Sequence, residues 1–152
     1  MAQVRITQAS SDDIEVAVRL LQRFFGEEGF ATPADALRRN VTGFHSDPGC
    51  AVLLASVDGQ PVAVTTVSCT RSTEDGYVAE IQDLYVEPGS RGHGLATALV
   101  DAAGEWARQR GCQLLEVVVT PEAEDAHGLS GFYARLGFAG TGRTIHSRRL
   151  IG

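Results

Sequence analysis

No stretch of the chain approaches the ~20 consecutive apolar residues that a membrane-crossing helix needs, so no membrane segment is expected. The opening residues, MAQVRITQAS, hold no apolar core of the kind a secretory signal carries. Cysteine is scarce: Cys50, Cys69 and Cys112 make an odd count with no C-x-x-C pair. Each sits in or beside an apolar run, where a thiol behaves as a small hydrophobe. That pattern fits a reducing compartment and not a disulfide framework, and a soluble cytoplasmic protein is expected. Positive charge is in deficit, with 13 Lys+Arg against 19 Asp+Glu and a net charge of −6. Nucleic acid is therefore not the expected partner, since phosphate neutralisation needs clustered Lys and Arg. The four histidines, His45, His93, His127 and His146, show no metal-ligand spacing, and no metal is expected. Internal repeats, low-complexity tracts and linkers are absent as well.

What is present is an ordinary globular composition, 43% hydrophobic and 21% charged over 152 residues, which suits one domain spanning 1–152. Val4 to Gln8 alternates as a short strand. Ser10 or Ser11 caps a helix whose apolar positions are Ile14, Val18, Leu21 and Phe25, one helical face. Thr32-Pro33 opens a second helix that runs to about His45. Cys50 to Val57 is nearly all apolar, as a strand covered on both faces would be. Asp58-Gly59 signals a hairpin into a strand over Pro61 to Cys69, followed by a polar loop, Arg71 to Asp75. A strand over Tyr77 to Val86 is broken by Glu87-Pro88-Gly89. A helix then carries Leu95, Leu99, Ala102, Ala103 and Trp106 and stops at Gly111. A strand over Gln113 to Thr120, an acidic loop over Pro121 to Asp125, a helix ending at Gly137 and one or two strands over Phe138 to Ile151 complete the reading. The order β-α-α-β-β-β-α-β-α-β is that of a mixed α/β domain.

The stretch from Ile81 to Leu99, IQDLYVEPGSRGHGLATAL, joins an apolar strand to a helix through a glycine-bearing turn. A helix N-terminus behind such a turn presents unpaired backbone N–H groups and the positive end of the helix dipole, which suit an anion such as phosphate. A nucleotide-hydrolase phosphate loop would require Gly-Lys-Ser/Thr, and no such lysine is present. A dinucleotide fingerprint would require glycine or alanine three positions after Gly94, where Thr97 stands. What remains is Arg-x-x-Gly-x-Ala, formed by Arg91, Gly94 and Ala96.

This motif resembles the acyl-CoA pyrophosphate loop of the GCN5-related N-acetyltransferase (GNAT) family. The element order also matches that family's acyl-CoA N-acyltransferase fold, and Phe132-Tyr133-Ala-Arg-Leu-Gly137-Phe138 resembles its late helix. The resemblance implies acetyl-CoA as cosubstrate, with its pyrophosphate on the backbone of Arg91, Gly92, His93, Gly94, Leu95, Ala96 and Thr97. It implies that pantetheine lies along Leu84, Tyr85 and Val86. It further implies a bulge in that strand, which turns the Leu84 amide toward the thioester carbonyl as an oxyanion donor. Tyr133 is implied near the CoA sulfur, as the acid that protonates the leaving thiolate. The asparagine that relatives often carry near Asp125 and Ala126 is missing here. Homodimers are common among such proteins.

Acylation needs a neutral amine, and primary amines of pKa near ~10.4 are mostly protonated at neutral pH. A carboxylate on the key strand can take the proton, and the resemblance offers both Glu80 and Asp83. Regular alternation puts Glu80, Gln82 and Leu84 on one face and Ile81, Asp83 and Tyr85 on the other. Glu27 and Glu28, between the first two helices, and Glu122, Glu124 and Asp125, after the fifth strand, fall in segments that line the acceptor side of this fold. Either strand carboxylate can equally serve as an anion for the acceptor. Together these acids suit a small polycationic amine, aminoglycosides first, with a peptide N-terminus or an amino acid as other acceptors. A non-catalytic acyl-CoA sensor is the reading from another class.

Overall fold

Ser10 begins the first helical segment through a reciprocal contact with Asp13, whose carboxylate accepts from the Ser10 N–H at 2.8 Å and the Ser10 hydroxyl at 3.1 Å. In the computed structural model, which describes residues 1–152, a 3₁₀ turn over Ser11–Asp13 then passes into α1, Ile14–Glu27. The strand before it is β1, Val4–Gln8, and α2, Ala34–Ser46, follows. Next come β2, Cys50–Val57; β3, Gln60–Ser72; β4, Gly76–Val86; α3, Leu95–Gln109; and β5, Leu114–Val117. The mixed α/β class holds. No helix is long and apolar enough to cross a membrane.

The chain divides into two compact units, Met1–Val118 and Val119–Gly152. The first contains the five-stranded sheet, in the order β1-β2-β3-β4-β5. β1 to β4 pair antiparallel, and β5 pairs parallel to β4 after the crossover through α3. Asp58 and Gly59 both have positive φ, 50° and 83°, the geometry that a two-residue hairpin between β2 and β3 demands. β3 extends three residues past the expected end and pairs as far as Ser72↔Gly76, leaving a tighter turn than the polar loop expected there. Ladder bonds with β4 outweigh the polar composition of the segment.

Helices cover both faces of the sheet, which is why β2 is buried almost throughout. On one face, Ala17, Val18, Leu20 and Leu21 of α1 and Leu37 and Val41 of α2 pack on Val52, Leu54, Val64 and Tyr85. The buried stripe of α3, Leu95, Leu99, Val100, Ala103, Trp106 and Ala107, serves the opposite face.

The second unit departs from expectation in two places. The acidic segment after residue 120 is helical: α4, Pro121–His127, starts where the Thr120 hydroxyl accepts from the Ala123 N–H at 3.1 Å, with proline in the first turn. Acidic side chains near a helix N-terminus favour helix and not loop. α5, Leu129–Arg135, follows directly after Gly128. The strands expected over Phe138 to Ile151 do not form, and Ile145, Leu150 and Ile151 are exposed. Strand character needs a pairing partner, which alternation in one segment does not supply.

Candidate active site

The decisive feature of β4 is a break in its register with β3. Asp83 pairs with Thr66 and Ile81 with Val67, so Gln82 is an extra residue opposite a single step of β3. The expectation of separate faces for Glu80 and Asp83 is thereby overturned. The Thr66 hydroxyl donates to Asp83 Oδ2 at 2.5 Å, while Gln82 Nε2 donates to Ser68 Oγ at 3.2 Å and to Glu80 Oε2 at 3.0 Å. Thr66 and Ser68, two apart on β3, share a face, so Glu80, Gln82 and Asp83 share one too. Leu84 goes to the opposite face.

Backbone directions follow from the same ladder. The Glu87 N–H donates to the Val62 carbonyl at 2.9 Å. Counting back by alternation, Tyr85 and Asp83 turn their backbone groups toward β3, while Val86 and Leu84 turn theirs to the other edge. That edge is open. β5 pairs with β4 only from Val78↔Leu114 to Ile81↔Val117, and no strand lies beside Gln82 to Val86. The Val86 carbonyl on this edge is taken by Arg91 Nε; a strand edge whose remaining N–H and C=O groups are unspent can take an extended ligand in place of a neighbour.

The open edge runs into the turn. Gly92 and Gly94 have φ of 82° and 80°, left-handed conformations that exclude ordinary side chains. The α3 ladder begins with the Ala98 N–H on the Gly94 carbonyl at 3.0 Å, so the N–H groups of Leu95, Ala96 and Thr97 precede it. Arg91, Gly92, His93 and Gly94 are exposed, whereas Leu95 is buried and anchors the helix start.

The Arg91 side chain turns back into the fold. Its Nε donates to the Val86 carbonyl at 2.8 Å, its guanidinium lies over the Tyr85 ring at 5.6 Å, and Nη2 bonds both oxygens of Glu27 at 3.1 and 3.2 Å. Glu27, expected to face the acceptor, is therefore engaged with Arg91. Burial, and next the adjoining Glu27 carboxylate, push the Tyr85 phenol above its ordinary value. One turn earlier on α1, Arg23 pairs with Glu87. Two ion pairs thus tie the end of α1 to the β4–α3 connection. Sequence spacing gave no sign of either pair, because partners 64 residues apart meet only through the sheet. Glu28 is half-buried.

Asp83 is half-buried beside Thr66. Desolvation raises its carboxyl above the usual carboxylate range, and the Thr66 hydrogen bond partly opposes that rise. A carboxylate raised in this way is a better proton acceptor near neutral pH than an ordinary surface acid. Glu80 is hydrogen-bonded to Gln82. Thr65 and Thr66, both buried, were not singled out by the sequence; the one available signal was two hydroxyl residues side by side in the apolar run of β3.

In the second unit, Tyr133 is 5% exposed and packs edge-on against Phe132 and Phe138, with ring centroids 5.0 and 5.3 Å away. Burial raises its phenol, so it stays protonated through the neutral range. The Phe138 N–H returns to the Tyr133 carbonyl at 3.0 Å past Gly137, closing the helix end. Glu124 accepts the Ser130 N–H at 2.7 Å, which lowers its carboxyl and ties α4 to α5. Glu122 and Asp125 are exposed on α4.

A bulged strand with one open edge, leading into a left-handed turn and a helix N-terminus, is an arrangement whose backbone groups suit an extended ligand with an anionic end. Residues 14–138 match the model of the Acetyltransferase (GNAT) family, and the chain belongs to that family. It is 38% identical over 87 residues to an uncharacterised N-acetyltransferase of Methanocaldococcus jannaschii, covering 56% of this chain and 37% of the relative. It is 30% identical over 106 residues to an aminoglycoside N(6′)-acetyltransferase type 1 of Serratia marcescens, covering 67% of this chain and 70% of the relative. The first curated relatives are matched over 37%, 34% and 49% of their own lengths, so the chain spans about a third to a half of them. In fold it is similar to the aminoglycoside N-acetyltransferase AAC(6′)-Iy solved with CoA, with a TM-score of 0.85, 21% identity, and coverage of 99% of this chain and 97% of that one.

Proposed function

We propose that this protein is an acetyl-CoA-dependent N-acetyltransferase acting on a primary amine of a small polycationic acceptor, an aminoglycoside first among them. The observation that carries the reading is the bulge at Gln82, which leaves Leu84 and Val86 facing an open edge one turn from a free helix N-terminus. The pyrophosphate of acetyl-CoA rests on the amides of Leu95, Ala96 and Thr97 and on the Arg91–Gly94 turn. Pantetheine follows the backbone of Leu84, Tyr85 and Val86. The Leu84 N–H holds the thioester oxygen as it gains charge.

The amine nitrogen attacks the thioester carbonyl carbon directly. Asp83 takes the amine proton, its raised carboxyl favouring it for that role, and the charge of Glu80 on the same face serves to hold the cationic acceptor. The C–S bond breaks, and the CoA thiolate takes a proton from Tyr133, a role resting on the family resemblance and on a phenol kept protonated by burial. Much of the acceleration comes from holding amine and thioester together. Three of the relatives' names specify aminoglycosides, and the acidity of the chain suits a polycation.

The test is thiol release from acetyl-CoA across aminoglycosides, polyamines, amino acids and short peptides. Turnover with aminoglycosides supports the full reading, and turnover with peptides alone moves the acceptor to a protein N-terminus. CoA binding with no turnover on any amine removes the enzyme reading in favour of a sensor.

A further inference from the structure

Thr65 and Thr66 are the two buried polar residues of the chain, 0% and 1% exposed, flanked in β3 by the buried Val64 and Val67. Valine would fill either place with no hydroxyl to desolvate. Both hydroxyls are spent on one residue. The Thr65 hydroxyl donates to the Asp83 backbone carbonyl at 2.7 Å, and the Thr66 hydroxyl donates to Asp83 Oδ2 at 2.5 Å. They leave β3 on opposite faces and grip Asp83 at two different groups.

The Asp83 carbonyl belongs to the same planar peptide unit as the Leu84 N–H, and in a trans unit the two point opposite ways. Pinning the carbonyl toward β3 therefore directs the Leu84 N–H at the open edge. The pin sits one residue beyond the bulge, where the ladder is disrupted and the peptide orientation least constrained by neighbours. The second hydroxyl fixes one carboxylate oxygen, leaves Oδ1 to meet an amine, and favours the ionised form.

We infer that Thr65 and Thr66 are positioning residues, Thr65 setting the direction of the oxyanion donor and Thr66 the orientation of the base. The inference deepens the acetyltransferase reading and rests on its assignment of Leu84 and Asp83. It makes β3, a strand that contributes no reacting group, the element that aligns both catalytic groups of β4.

Valine and serine variants at each position separate the two roles, with circular dichroism and thermal melting to establish folding. Thr66→Val is read by carbon NMR titration of the Asp83 carboxyl, which needs no acceptor: the midpoint moves to higher pH, and Thr66→Ser restores it. Thr65→Val is read by steady-state kinetics with acetyl-CoA and kanamycin: kcat falls about tenfold, a fraction of the loss from deleting an oxyanion donor outright. KM for acetyl-CoA holds, the Asp83 midpoint stays in place, and Thr65→Ser recovers kcat. An unmoved midpoint in Thr66→Val, or an unchanged kcat in Thr65→Val, overturns the corresponding half. Asp83→Asn keeping wild-type turnover overturns the base assignment itself, a result distinguishable from either failure of the threonines.

Discussion

Asp83 shows how one residue carries opposite signs for activity and stability. Its carboxyl is raised in the folded protein, so folding favours the neutral form. As pH rises from the ordinary carboxyl value through the raised one, stability is lost and the ionised form, the one proposed as base, is gained. Asp83→Asn is expected to lower kcat by about a hundredfold and to melt above the wild type at alkaline pH. The difference in melting temperature shrinks as the pH falls below ~3, where the wild-type carboxyl is neutral in both states. Melting curves at several pH values, set beside kcat, check both signs. Tyr133→Phe keeps the ring packing against Phe132 and Phe138 and removes only the hydroxyl. Turnover should fall about tenfold with CoA affinity unchanged by calorimetry; an equal loss in both would make the ring structural. At this scale the sequence offered the carboxylates and the phenol as candidates by residue type. Their surroundings were hidden: the Thr66 contact depends on a bulge, and a bulge is a property of two strands.

The β4–α3 connection is held from below by α1. Glu27 grips Arg91 and Arg23 grips Glu87, so the C-terminal end of α1 is joined to the glycine turn before α3. Glu27→Gln is expected to raise KM for acetyl-CoA about threefold while changing stability by less than about 1 kcal/mol, since both partners are partly exposed. KM and denaturant midpoints on one preparation test this. Gly94→Ala should cost ~1–2 kcal/mol of strain from left-handed φ, because the space around a Cβ there is empty and no clash arises. Gly89→Ala, equally unobstructed and lacking positive φ, serves as the control, and CoA titrations of the two variants should separate them. The turn and its motif were legible in the sequence, since glycine spacing and the helix start are local. The α1 anchor was not, and the side chain of Arg91 proved to support the turn from within.

Net charge acts on the two proposed substrates in opposite directions. At −6 the molecule attracts a polycationic amine and repels the polyanionic CoA. Raising ionic strength from about 0.05 to 0.5 M, which shortens the screening length severalfold, should therefore raise KM for an aminoglycoside. KM for acetyl-CoA should hold or fall over the same range. Parallel salt titrations of both constants test the acidic-field argument, and a KM for the amine that ignores salt would remove it.

The sequence by itself determined the mixed α/β class, the helix faces, the Asp58-Gly59 hairpin and the glycine turn before α3. Each is written in contacts between residues a few positions apart. Tertiary structure decided which face Asp83 occupies, where the β4 edge lies open, what Glu27 and Arg91 do, and that the residues after Phe138 form no strand. Each of these depends on a partner distant in the chain, because strand register, burial and ion pairing are settled by what the folded backbone brings alongside.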